Sequence, residues 1–147
     1  MHEPVKDKWR IRWDVQEKEN GSASYMEEEF GHKPTDEEIH TLVMSWYNSQ
    51  TDAAILSGFA YNGAHVWLSV ENQYNYKAAY DLAVQTGGET LPVTFKFGSD
   101  EQPEYHTFEK LDNLKDFYIQ AVRHIQNTLA EGWKRKDVFN LDLYRIE

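Results

Sequence analysis

At 147 residues the chain is long enough to build one domain with a real core, and its 40% hydrophobic and 14% aromatic content excludes a disordered polymer. It has no cysteine, which excludes disulfide staples and thiolate metal sites. The net charge of −10 argues against binding to a nucleic-acid backbone, and no apolar run reaches the roughly 18 residues of a membrane span, so neither is an expected partner.

Residues Met1 to Lys8 are polar and lack the apolar core of a signal peptide, so a cytoplasmic location during expression is expected. From Trp9 to Val15 the chain alternates: Trp9, Ile11, Trp13 and Val15 point one way, Arg10, Arg12 and Asp14 the other. That pattern predicts a half-buried strand. Asn20-Gly21 signals a turn, and Ser24 to Phe30 is the expected return strand. Thr35 with Glu38 three residues later has capping-box spacing, and Ile39, Leu42, Val43 and Trp46 follow at helical spacing. This helix is expected to end between Ser49 and Asp52.

Asn62-Gly63 lies between two apolar, aromatic-rich segments, the strongest short-range hairpin signal. A two-residue loop pairs Tyr61 with Ala64, Phe59 with Val66 and Ser57 with Leu68. Ala60, His65 and Trp67 take the opposite face, so both faces are largely apolar. Such a hairpin is either covered on two sides or offers an aromatic face to a partner. Ser69 is the expected cap of a second helix, with Tyr74, Ala78, Asp81/Leu82 and Gln85 as its stripe and Gly87-Gly88 as its stop. Leu91, Val93, Phe95 and Phe97 alternate as a strand, with Pro92 at its start, and residues 105–108 return after the loop from Gly98 to Pro103. Leu114, Phe117, Tyr118, Ala121, Val122, Ile125 and Leu129 mark the last helix, ended or bent at Gly132. The stretch from Val138 to Ile146 reads as a short strand or a docked extension.

The order hairpin, helix, hairpin, helix, hairpin, helix, tail predicts an α+β fold, with antiparallel hairpins forming a small sheet and about three helices packed on it. One domain over 1–147 is expected, comprising an N-terminal hairpin extension (1–33), a hairpin–helix core (35–135) and a tail (136–147).

Chemistry is hard to find. None of the six histidines has His-Glu-x-x-His spacing, and His40 is placed to face Asp36 one helical turn away. His65 and His106 converge only if their hairpins are sheet neighbours, and histidines packed among aromatics are the simpler reading. No Gly-x-Ser-x-Gly elbow or phosphate-binding glycine loop occurs. No catalytic residue, cofactor or metal is expected. The excess is aromatic: five Trp, nine Tyr and seven Phe. Most of these fill the core, but short strands cannot bury both faces. Trp9, Trp13, Tyr61, His65, Trp67 and Tyr76 are therefore the candidate interaction surface, for a protein partner or a second copy of the chain. Glu27–Glu29, Asp36–Glu38 and the basic cluster Lys134–Lys136 read as solvated faces or helix ends.

The run from Tyr61 to Ser69 (an aromatic strand, a Gly turn, a Val/Trp-Leu strand and a capped helix), followed by a Gly-ended helix, the strand Thr90 to Gly98 and a final amphipathic helix with Tyr118, Ala121 and Ile125, resembles an uncharacterised domain family found in phage and prophage tail-region proteins, including tail-fibre and tail-fibre-assembly-like proteins. The wider sequence is similar to prophage-encoded proteins of Bacteroides-type bacteria. The resemblance covers roughly residues 35–135. It implies a non-enzymatic role in virion structure or assembly, through contacts with a phage tail or assembly component, with association to the virion as one possible location. Two alternatives stand beside it: an acidic inhibitor or decoy that binds a basic host protein through Glu27–Glu29 and Asp36–Glu38, and, least favoured, a small hydrolase built on His65 and His106.

Overall fold

A computed structural model of the chain describes residues 8–144. The polar leader up to Asp7 and the last residues of the tail, from Arg145, lie outside the described residues. The elements are β1 (Trp9–Glu17), β2 (Ala23–Phe30), α1 (Asp36–Ser57), β3 (Phe59–Tyr61), β4 (Ala64–Val66), α2 (Val70–Gln85), β5 (Val93–Gly98), β6 (Pro103–Phe108) and α3 (Leu111–Asp137), followed by a 3-10 turn, Leu141–Tyr144. The class is α+β. Each hairpin is an antiparallel two-stranded ribbon of its own, β1–β2, β3–β4 and β5–β6. The chain divides into two compact units, one of residues up to Asn48 with those from Arg135 onward, the other Ser49–Lys134, and the division falls inside α1 and α3.

In the first unit, Ile11 and Trp13 on β1 are buried with Ile39 and Val43 on α1, and Phe30, Leu42, Trp46, Phe139 and Leu141 pack around them. The tail is thus a docked extension in its described part, not a strand. The alternation of β1 fails at Asp14. Trp13 pairs with Met26 and Gln16 with Ser24, so Asp14 and Val15 together oppose Tyr25 alone. This is a β-bulge, with Asp14 at φ 52°. The extra residue turns Val15 outward, to 59% exposure, where strict alternation would have buried it. On the outer face Arg10 lies opposite Glu29 and Arg12 opposite Glu27, with guanidinium–carboxylate distances of 2.9 and 3.0 Å. α1 starts on the expected capping box. The Glu38 amide donates to Thr35 Oγ1 at 3.1 Å, and the Thr35 amide donates back to the Glu38 carboxylate at 3.1 Å.

α1 runs past Asp52 to Ser57, because Ala53, Ala54, Ile55 and Leu56 sustain it and the stop comes only at Gly58, with φ 81°. A Cβ at Gly58 would collide with the Val66 carbonyl, so the chain crosses β4 there at backbone distance. β3 therefore begins at Phe59. The predicted pairs Phe59–Val66 and Tyr61–Ala64 form, whereas Ser57 closes the helix and Leu68 donates its N–H to the Leu56 carbonyl.

The core of the second unit is centred on Phe117 of α3, which is fully buried. Its ring lies within 5.0–6.2 Å, centroid to centroid, of Phe59, Tyr61, Tyr76, Phe95, Phe97 and Phe108. Both other ribbons and α2 thus meet α3 at one side chain. α2 is capped as its sequence predicts: Ser69 Oγ accepts the Asn72 amide at 3.2 Å, and the Gly88 amide closes the other end on the Ala83 carbonyl at 2.8 Å. Its buried stripe is Tyr76 and Ala83, flanked by Ala79 and Tyr80, not the stripe expected through Tyr74 and Leu82. Both sets have helical spacing, and the small alanines let this side approach the core most closely. Gly132 neither ends nor bends α3. It is buried within the helix, and a Cβ there would lie inside contact distance of Thr51 Oγ1 and 3.2 Å from Thr51 Cβ.

Candidate functional site

The burial of the six expected surface residues divides them. Trp13, Tyr61 and Tyr76 are buried core residues, and of the three only Tyr76 borders a surface concavity, as part of its floor. Their strand or helix positions coincide with the faces that the aromatic cores require: Trp13 meets Trp46 edge to face at 6.1 Å, and Tyr61 and Tyr76 both meet Phe117. Trp9 is half-buried on β1. His65 and Trp67 are exposed, on the outer side of the β3–β4 ribbon, with their rings 4.3 Å apart.

His65 and His106 do not converge. His106 packs among Tyr61, Phe97 and Phe108 at 5.8, 6.0 and 4.4 Å, on the core side of Tyr61. His65 lies on β4, on the face of the β3–β4 ribbon opposite Tyr61, and donates from Nε2 to the Ser57 carbonyl. Of the other histidines, His32 pairs with Glu38 at 2.8 Å, His40 meets Phe139 and His124 stacks on Phe59. Among the described residues no three His, Asp or Glu side chains are grouped to hold a metal ion, and no helix is long and apolar enough to cross a membrane.

An apolar groove runs between α2 and α3 in the second unit, with a volume of about 300 Å³. Leu68, Tyr76 and Ala121 form its floor; Val70, Tyr74, Tyr118, Val122 and Ile125 form its walls. Val70 and Tyr74 are 73% and 74% exposed, high values for side chains of this kind. Stacking of Tyr80 on Tyr118, at 4.8 Å and 20°, ties the two helices beside it. Burial raises the Tyr76 phenol pKa to about 12. The Lys77 ammonium at the rim is held by Asp81 at 2.6 Å, and that pairing raises its pKa. The groove can take an apolar partner segment; it holds no paired acid and base. Sequence reasoning named Tyr76 here but missed Val70, Tyr118 and Ile125. The available signal was Val70–Tyr74, an apolar i, i+4 pair, masked because Tyr74 also fits the stripe expected to be buried.

A second cavity, of about 430 Å³, lies beside Trp67 and His65 and is closed by the loop from Gly98 to Glu104. In the first unit, Phe30 and Leu42 form the base of a third, of about 380 Å³, with Glu28, Glu37 and Glu38 around it. Glu28 lies across from Ile11, on the face opposite Glu27 and Glu29, whose carboxylates are taken by Arg12 and Arg10. The acidic run of β2 is thus split between two faces. Comparison with protein-family models, with curated proteins and with solved structures finds no significant match to this chain.

Proposed function

We propose that this chain is a non-enzymatic binding module that works through protein–protein contacts, with a phage or prophage tail or tail-assembly component as its partner. The observation that carries the binding half is the α2–α3 groove, where Val70 and Tyr74 stand in solvent beside an apolar concavity. Large exposed apolar side chains around a concavity cost solubility and characterise surfaces that another chain covers. The identity of the partner rests on the resemblance of residues 35–135 to phage tail-region domains. On this reading the chain works in the cytoplasm of the producing cell and can be carried on the virion.

The test uses the tagged chain as bait in lysates of prophage-induced cells, beside a Tyr74→Glu variant. Recovery of a tail or assembly protein by the parent and its loss with the variant is the expected result. Recovery of no virion or assembly protein from cells that express the gene counts against the reading.

A second reading, an acidic decoy for a basic protein, draws on the three glutamates around Phe30 and Leu42. Salt separates the two. Charge-led binding collapses as the screening length falls from about 10 Å at 0.1 M to about 3 Å at 1 M, whereas apolar docking persists.

A further inference from the structure

We propose that the cavity beside Trp67 receives the guanidinium of an arginine side chain presented by a protein partner. Three independent features of the cavity favour this ligand.

The first is a fixed aromatic face. Trp67 is 48% exposed, yet its ring is not free to swing, because the indole Nε1–H donates to the Gly98 carbonyl at 2.8 Å. The His65 ring braces it edge-on at 4.3 Å. Indole is the best side-chain platform for a cation, and a planar guanidinium can lie flat on it.

The second is the balance of donors and acceptors. The Ser57 carbonyl can only accept, so the proton of a neutral His65 sits on Nε2 and Nδ1 is left as an acceptor. Glu104 contributes a carboxylate with no hydrogen-bond or ion-pair partner among the described residues. Ser99 Oγ already accepts the Gln102 amide at 3.0 Å. Apart from the Gln102 side-chain amide and the Ser99 hydroxyl the cavity offers acceptors. A guanidinium, with five N–H donors and no acceptor, complements such a set, whereas a neutral sugar needs donors in return.

The third is charge. The chain carries −10 overall, and the closing loop adds Asp100 and Glu101 against Lys96, whose charge is matched by Asp100 at 2.9 Å. An arginine approaching this loop meets no uncompensated cation from it. The volume of about 430 Å³ has room for the guanidinium and part of its methylene stem.

This site is distinct from the α2–α3 groove, and its test does not involve Tyr74, so either idea can fail alone. The chain, labelled with nitrogen-15, is titrated with an acetylated, amidated Gly-Arg-Gly peptide and with its citrulline counterpart, which keeps the shape and removes the charge. The expected result is a saturable shift of the Trp67 indole N–H in the millimolar range, at least about fivefold weaker for citrulline. Glu104→Gln, at an exposed position, is expected to weaken the arginine peptide about fivefold with the rest of the spectrum unchanged. Equal shifts from both peptides, no Trp67 shift up to about 50 mM arginine peptide, or a shift from N-acetylglucosamine without one from arginine would overturn the proposal.

Discussion

Tyr76 of α2 and Phe117 of α3 meet edge to face, with ring centroids 5.0 Å apart and planes at 88°. This contact joins the helix that bears the groove to the ring at the centre of the second unit's core. Removing Phe117 therefore reaches β3, α2, β5 and β6 as well as α3 itself. Phe117→Ala is expected to cost about 3–5 kcal/mol, a large share of the ~5–15 kcal/mol that typically holds a domain together. Phe117→Leu, which keeps most of the volume, should cost about 1–2 kcal/mol. Urea midpoints of the two variants check the order, and an alanine variant as stable as the parent would refute the central placement of this ring.

Tyr76 also gives the fold an alkaline limit. Its phenol is pushed from 10.0 to about 12 by burial. A raised folded pKa means that the unfolded chain loses the proton first, so this contribution is whole below about pH 10 and lost as pH rises toward about 12. The slope is about 1.4 kcal/mol per pH unit. Tyr76→Phe should leave stability at pH 7 within about 1 kcal/mol of the parent and flatten the alkaline loss. Chemical denaturation at about pH 7, 10 and 11.5 reads the difference.

The capping box of α1 sets the acid side. Hydrogen bonds from the Thr35 amide and then from His32 hold the Glu38 carboxyl below its ordinary value of 4.5. A lowered folded pKa gives stability that is present above the ordinary value and lost as pH falls through the lower one. Glu38→Gln should therefore be less stable than the parent at pH 7, with the gap closing below about pH 4. Thr35→Ala removes the other half of the box and should cost about 0.5–2 kcal/mol at pH 7. A gap for Glu38→Gln that is the same at pH 3 and pH 7 would rule out the carboxylate as its source.

Gly132 offers a test in which helix propensity and packing oppose one another. Alanine in a helix interior is better than glycine by about 1 kcal/mol. Here the added methyl would meet Thr51 of α1, 3.1 Å from Cγ2 and 3.2 Å from Cβ. Overpacking of that kind costs about 1–3 kcal/mol, so Gly132→Ala should destabilise on balance. Thr51→Ala in the same chain should relieve the clash and let the propensity gain emerge. Thermal midpoints of the four chains complete the cycle.

Much of the local structure was legible because it depends on neighbouring residues. Thr35 with Glu38, Ser69 and Gly87-Gly88 marked helix ends, and Asn62-Gly63 fixed the Phe59–Val66 and Tyr61–Ala64 pairs. What failed depended on distant partners. The end of α1 is set by Gly58 crossing Val66, the buried stripe of α2 by the proximity of Phe95 and Phe117, and the continuity of α3 by Gly132 meeting Thr51. The same limit governs the surface: Trp13, Tyr61 and Tyr76 are as aromatic as Trp67, and only tertiary packing separates the buried three from the exposed one. The pairing of Glu27 and Glu29 with Arg12 and Arg10 was equally hidden until the register of β1 and β2 was known.

The bulge at Asp14 divides the first hairpin into two parts with different freedoms. Before it, alternate side chains of β1, Ile11 and Trp13, are committed to the core; beyond it, from Val15 through Ala23, each residue is exposed. The far end of this ribbon is accordingly a natural handle: an epitope tag or fluorophore placed between Asn20 and Gly21 would lengthen the finger without disturbing Ile11 or Trp13.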